Sequence, residues 1–286
     1  METQYFQHKG INFNSLLYSG EHLNYLENEF QVRDEDVFNV TFPKSGTHWM
    51  VEILSLIRNN GDPTWCQNVP NWERMPWLEV NRDPSMHVEE QSPRYFCSHL
   101  PIQLFPRSFF SSKAKVIYTG RNPKDVLVSL YHFAISSFVL KTPHSFDDFF
   151  EDFIQAKVPF GSWFDHIKGW MQMKDHDNFL FITFEELKKD HRGTIKKICK
   201  FLGKELSEEA IDLVVEHSSF KTMKENKMSN HSLAPEFIMK KNSNFIRKGI
   251  CGDWKTCLST TQQEYMDRIY QEKMKELDMK FIWDEC

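Results

Sequence analysis

The sequence predicts an α/β fold: a single domain spanning 1–286, with a central parallel β-sheet flanked by helices and a P-loop-like anion loop after its first strand. Three observations carry the prediction. Short continuous apolar runs alternate with stretches of helical periodicity, the pattern of a parallel sheet covered on both faces. Pro and Gly are thinly spread, and no repeat or low-complexity stretch marks a linker. At 286 residues and 40% hydrophobic content, the chain can fill one large core.

The elements follow in order. Residues 36–42 are β-rich and apolar and stop at Pro43. Met50, Ile53, Leu54 and Ile57 then recur at helix spacing. Residues 94–98 read as a weaker strand and residues 115–120 as a strong one. Val126, Val128 to Leu130 and Phe133 mark the next helix, and residues 179–184 the last strand. Leu187, Ile195, Ile198 and Leu202 continue as a helical run, with Gly203 as its stop. A sheet of this kind binds ligands at the carboxyl ends of its strands.

Composition narrows the function. Net charge is −5 at pH 7, so no basic stripe for nucleic acid is expected. Residues 1–30 contain no long apolar segment, and Glu21, Glu27 and Glu29 interrupt what hydrophobicity there is. No apolar window of about 18 residues occurs, so a cytosolic protein without a membrane span is expected. The six cysteines are scattered without a CxxC pair, which reads as free thiols and no metal site.

The strand at 36–42 runs into Pro43-Lys44-Ser45-Gly46-Thr47-His48-Trp49 and then directly into a helix pattern. A Gly-containing turn at a helix N-terminus offers free backbone N–H groups and the positive end of the helix dipole to an anion. Lys44 adds a charge, and Ser45 and Thr47 add hydroxyl donors. An ordinary turn with a capping Thr is the alternative. The loop is not a Walker A motif, because Lys44 precedes the Ser-Gly-Thr segment. Where a magnesium-dependent ATPase needs a metal-binding acid, residues 115–120 lead into Arg121. The arrangement predicts phosphate neutralised by protein cations. Arg121-Asn122-Pro123-Lys124-Asp125, with Ser129 further along its helix, forms a second basic junction, and Arg247-Lys248-Gly249 a third. Together they predict a ligand with phosphates at two ends.

These segments carry a resemblance. Phe42-Pro43-Lys44-Ser45-Gly46-Thr47 with Trp49 resembles the 5′-phosphosulfate loop of the cytosolic sulfotransferases. Arg121-Asn122-Pro123-Lys124-Asp125 with Ser129 is similar to the family's 3′-phosphate motif, and residues 247–255 to its RKGxxGDWK signature. Ser98-His99-Leu100-Pro101 resembles the segment that carries the family's catalytic histidine. Trp72-Glu73-Arg74, residues 100–106 and residues 223–230 resemble the hydroxysteroid and bile-acid branch.

The resemblance implies 3′-phosphoadenosine 5′-phosphosulfate as donor, 3′-phosphoadenosine 5′-phosphate as product, and no metal. The acceptor it implies is a hydroxyl of a steroid, a bile acid or a similar small apolar alcohol. Lys44, Ser45, Gly46 and Thr47 would hold the 5′-phosphate end, and Arg121, Ser129, Arg247, Lys248 and Gly249 the 3′-phosphate. Trp49 and Phe220 would sandwich the adenine, near Phe184 and Ser218. His99 would be the general base. Trp72, Trp77, Phe133 and Ser137 would line the acceptor site.

Departures from the family pattern carry further expectations. His48 stands where relatives commonly have a small polar residue; it would contact phosphate or solvent, or share the base role. Phe184 stands where many relatives have Tyr, and Ser218 where Thr is usual. Within 133–140, the small Ala134, Ser136 and Ser137 predict a roomier acceptor pocket. Residues 227–246 read as a long lid-like loop. Residues 255–264 resemble the family's homodimer motif, with Ser259-Thr260 in place of its central pair. The competing readings are a phenol-type acceptor, a magnesium-dependent kinase and a non-catalytic nucleotide-binding module.

Overall fold

The computed structural model describes residues 3–81, 92–241, 243, 245–277 and 279–285. Near the amino end lies a hairpin, β1 (Tyr5–His8) and β2 (Ile11–Asn14), paired antiparallel. Its two-residue turn places Lys9 at φ 50° and Gly10 at φ 80°. A tight hairpin requires that left-handed pair, and glycine accepts it at no steric cost. The sequence reading did not anticipate this hairpin.

The predicted parallel sheet is present: β3 (Val37–Thr41), β4 (Tyr95–Ser98), β5 (Lys115–Gly120) and β6 (Phe179–Thr183), in the order β4-β3-β5-β6. In its register Phe38 lies beside Phe96 and Val116, and Val37 beside Tyr95 and Lys115. Alternation then divides the core in two. Phe38, Val40, Phe96, Val116 and Tyr118 join Phe105, Phe109 and Trp170 on one face. Val37, Tyr95, Cys97, Ile117 and Ile182 meet Met50, Ile53, Leu54 and Ile57 on the other. Both faces are covered, as the continuous apolar runs required.

The helix after β3 is Thr47–Arg58, and the one after β5 is Pro123–Ser136. Pro123 starts the latter where its missing N–H costs nothing, and the Asn122 side chain accepts from Lys124 N–H. The run from Leu187 to Leu202 is not one helix. It is divided into Phe184–Lys189 and His191–Leu202, because Asp190 turns to φ −141° and its carboxylate accepts the Gly193 N–H at 2.8 Å. Gly203 ends the second helix at φ 69°, as expected.

Residues 228–241 form an irregular loop with no helix, while 242 and 244 of the expected lid lie outside the described residues. Lys255, Ser259, Thr260 and Glu264 are exposed, and Ser259 caps the helix Thr260–Met274. Cys66, Cys97, Cys199, Cys251 and Cys257 are free thiols; Cys286 lies outside the described residues. Among the described residues, no helix is long and apolar enough to cross a membrane, and no three His, Cys, Asp or Glu side chains gather as a metal centre.

Candidate active site

Each sheet strand ends in a residue of one site. β3 leads into residues 42–46, β4 into His99, β5 into Arg121 and β6 into Phe184. Lys44 takes φ 70° and Gly46 φ 110°, so the chain turns sharply into the helix Thr47–Arg58. The loop is closed by Ser45 N–H donating to Phe42 O at 3.2 Å and Met50 N–H to Gly46 O at 3.0 Å. The Lys44 ammonium sits 4.1 Å from the Phe245 ring centre and 4.4 Å from that of Phe133, and has no ion-pair partner among the described residues. Burial first, then the charges of Arg121 and Arg247, push its pKa down to about 7. An anion placed beside it would restore the charge.

Arg121 joins the basic segments. Its Nη1 donates to Lys44 O at 3.0 Å and its Nη2 to Ile250 O at 3.1 Å, while the guanidinium lies 4.2 Å from the Phe184 ring centre. Asp125 accepts the N–H groups of Gly252 and Trp254 at 2.7 and 3.1 Å, which fixes the 247–254 turn against the helix Pro123–Ser136. Arg247 and Lys248 both bond the Asp253 carboxylate. Burial works to raise that carboxyl's pKa; the two hydrogen bonds outweigh it, and the pKa is lowered. Gly249 takes φ 61°, and a Cβ there would lie 2.3 Å from the Phe220 ring. Trp49 is held by its Nε1–H donating to Ser218 O at 2.8 Å, with Phe184 edge-on at 5.3 Å.

His99 is fixed from three sides. Its Nδ1 lies 2.7 Å from Thr41 O, its own N–H donates to Glu79 Oε1 at 2.7 Å, and its ring meets Trp77 at 4.5 Å and Phe160 at 5.2 Å. A backbone carbonyl only accepts, so Nδ1 carries the proton and neutral His99 keeps its lone pair on Nε2. Burial pushes its pKa down to about 3, against the bond to Thr41. His166, hydrogen-bonded to Tyr118 Oη at 2.8 Å, holds the His99 carbonyl through Nε2 at 3.0 Å.

A cavity of about 580 Å³ unites these groups. It is lined by Lys44, Gly46, Thr47, Trp49, Arg121 and Ser129, together with the 247–249 turn, Phe184 and Phe220. His48 and His99 also line it, as do the apolar Trp72, Trp77, Phe133, Val139 and Leu140 and, from the loop that follows residue 230, His231, Ile238 and Phe245.

A sulfotransferase domain profile matches residues 34–278. The chain belongs to the sulfotransferase family. Human Sulfotransferase 2B1 is 51% identical over 99% of this chain and 77% of its own length. The 3-beta-hydroxysteroid sulfotransferase of Cavia porcellus is 48% identical, over 97% of each chain. Mouse sulfotransferase SULT7A1, crystallised with PAP, superposes with a TM-score of 0.82 at 30% identity, over 96% of this chain and 95% of its own.

Within this sulfotransferase chain, three residues expected at the site lie behind the cavity wall. Ser45 and Ser137 are fully buried, and the Ser218 hydroxyl is occupied by Val214 O and His191. The small residues of 133–140 do not widen the pocket. Ala134 is in the core, Ser136 bonds back to His132 O and Phe133 O, and Ser137 bridges to Met239. Sequence reasoning missed His231, Phe245, Phe160, Asn71 and the hairpin-side residues Asn14 to Tyr18. For His231 and Phe245 the local signal was the polar, irregular composition of the 227–246 loop; the others lie outside that loop and carried no such signal.

Proposed function

We propose that this chain transfers a sulfuryl group from 3′-phosphoadenosine 5′-phosphosulfate to a hydroxyl of a steroid, bile acid or similar apolar alcohol. The observation that carries this reading is the single cavity lined both by the cationic loops and by aromatic side chains, with His99 in its wall. The protein's residues suit the nucleotide. Arg121 Nε is buried without a hydrogen-bond partner among the described residues, and Lys44 has no ion-pair partner among them. When bound, the donor supplies an activated sulfuryl group and a nucleotide leaving group.

Lys44 and the helix N-terminus at Gly46 and Thr47 hold negative charge at the sulfuryl end, where preorganised donors act best. Arg121, Ser129, Arg247 and Lys248 hold the other phosphate, and Trp49 and Phe220 flank the base. His99 takes the acceptor's hydroxyl proton on Nε2, which the Thr41 carbonyl keeps free. The relative named a 3-beta-hydroxysteroid sulfotransferase supports the steroid class, as does the apolar wall of Trp72, Trp77 and Leu140.

Radiolabelled donor, incubated with hydroxysteroids, bile acids and phenols in EDTA, is expected to label steroids or bile acids at the rate seen without chelator. A strong preference for flat phenols would replace the acceptor class. Loss of turnover in EDTA would return the kinase reading, and bound nucleotide without transfer the binding-module reading.

Gly249→Ala is expected to weaken 3′-phosphoadenosine 5′-phosphate binding about tenfold or more. The new Cβ must displace Phe220, and base stacking on an aromatic is worth about 1–3 kcal/mol. Calorimetric titration reads the change, and an unaltered affinity would remove Phe220 from the base site.

A further inference from the structure

His48 and His99 both line the cavity, and their hydrogen bonds set them in opposite tautomers. His99 Nδ1 lies against the Thr41 carbonyl, which forces the proton onto Nδ1. His48 is held differently. Its Nδ1 lies 3.3 Å from Asn71 Nδ2 and 3.2 Å from His231 Nε2. The orientation of the Asn71 amide is fixed independently, because Nδ2 also lies 3.2 Å from Ser229 O, a carbonyl that can only accept. Asn71 therefore donates to both, and His48 Nδ1 must accept. Neutral His48 then carries its proton on Nε2, and no hydrogen bond occupies that N–H among the described residues.

The arrangement around it is closely packed. The His231 ring stacks on Phe245 at 4.0 Å, His48 meets Phe245 edge-on at 4.7 Å, and Trp72 lies 5.3 Å from His231. His231 takes φ 61°, an unusual conformation for a side chain of its size. Asn71 is buried, and its backbone N–H is tied to Met228 O at 2.9 Å. Burial, with His231, Lys44, His99 and Arg74 around the ring, keeps His48 from charging.

We infer that His48 serves the transfer as a hydrogen-bond donor, held in its Nε2–H tautomer by Asn71 and His231 as positioning residues, and that His99 alone is the base. The inference rests on the sulfotransferase reading above. It assigns His48 to an oxygen of the transferring sulfuryl group, because the ring follows Thr47 at the helix N-terminus and its other neighbours around the cavity are aromatic. No proton leaves the acceptor through His48. The acceptor's proton passes to His99 Nε2, the new S–O bond forms at the acceptor oxygen, and the old one breaks at the nucleotide.

The test is nitrogen-15 NMR of the full chain labelled at histidine, with signals assigned by loss in His48→Gln and His99→Gln. His48 is expected to bear its proton on Nε2 and His99 on Nδ1. Asn71→Asp places acceptor oxygens opposite His48 Nδ1 and is expected to draw the proton there, lowering kcat about tenfold, the worth of one hydrogen bond to a charged group, with nucleotide affinity retained. His48→Phe should fall by a similar factor with the acid limb of its pH profile unmoved, and His48→Gln, which keeps an amide donor, should retain more activity than His48→Phe. A wild-type His48 protonated on Nδ1, or an acid limb that shifts in His48→Phe, overturns the proposal. A chain that transfers no sulfate to any acceptor fails the parent reading instead, and the tautomers are still read in the same spectra.

Discussion

Replacing His99 with alanine is expected to lower kcat about 10²–10⁴-fold, the range for losing a positioned general base, while 3′-phosphoadenosine 5′-phosphate still binds. The size follows from the lack of a substitute. His166, the nearest other histidine on that side, has Nδ1 on Tyr118 Oη and Nε2 on the His99 carbonyl, so neither nitrogen is available. On the inference above, His48 offers a donor and not a lone pair. The pH profile separates this loss from a general collapse. In the free enzyme the His99 pKa is about 3 and that of Lys44 about 7. The acid limb of kcat/KM should therefore lie far below the usual imidazole range, and an alkaline limb near pH 7 should follow the loss of the Lys44 charge. His99→Ala should abolish the acid limb and keep the alkaline one. Residual turnover with the acid limb intact would move the base elsewhere.

The same depressed pKa has a consequence for stability, and its sign is fixed. The unfolded chain protonates this histidine near its ordinary 6.5, whereas the folded site resists until about 3. The native state thus keeps its full stability above the unfolded value and loses it as pH falls through that window. His231, pushed down to about 3 by burial, and His166 and His191, pushed down to about 4, act in the same direction. Removing His99 alone should soften the acid transition and not abolish it.

Local pattern explains which parts of the molecule were legible in the sequence. The four strands and the helices after β3 and β5 were visible because apolar runs and helical spacing are properties of neighbouring residues. The anion loops were visible because backbone geometry at a strand-to-helix junction depends on a few adjacent residues, Gly46 above all. The break at Asp190 was hidden because a capping carboxylate and an interior helical residue look alike in a periodic run. Ser218 was expected at the site as a hydroxyl and Ser137 as a small residue of the acceptor wall, yet the Ser218 hydroxyl is taken by Val214 O and His191 and Ser137 is buried. The greatest loss was across distance. His231 meets His48 from 183 positions away, and nothing in the composition of a polar loop says which of its residues will turn inward. Sequence pattern located the ends of the strands, whereas the acceptor side of the cavity was assembled from contacts between segments with no shared local signal.

That distant assembly depends on one buried ion pair, and its loss carries the second large expected effect. Arg74→Met is expected to destabilise the fold by about 3–5 kcal/mol, the cost of leaving one charge of a buried pair without its partner. Arg74 Nη2 donates to Glu52 Oε2 at 2.7 Å, and the two side chains are 0% and 1% exposed. Its Nε donates to Val69 O at 3.0 Å, and its Nη1 reaches Cys66 Sγ at 3.0 Å. Glu52 Oε2 also accepts from Ser229 Oγ at 2.8 Å, while Asn226 Nδ2 donates to Cys66 O at 2.9 Å. One carboxylate thus ties the helix Thr47–Arg58, the segment around Trp72 and the loop that carries Ser229 and His231. Methionine fills the volume of the arginine stem but supplies no donor. Urea denaturation should show the lowered midpoint, and the acceptor KM should rise more than the nucleotide Kd, because the anion loops do not hang on this knot. The double variant Arg74→Met with Glu52→Leu should recover much of the stability, since a buried pair replaced by apolar side chains of similar size is often near neutral. A single variant within about 1 kcal/mol of the parent would show that the carboxylate finds water or another donor, and that the loop's bonds to Asn71 and its aromatic contacts suffice to anchor it.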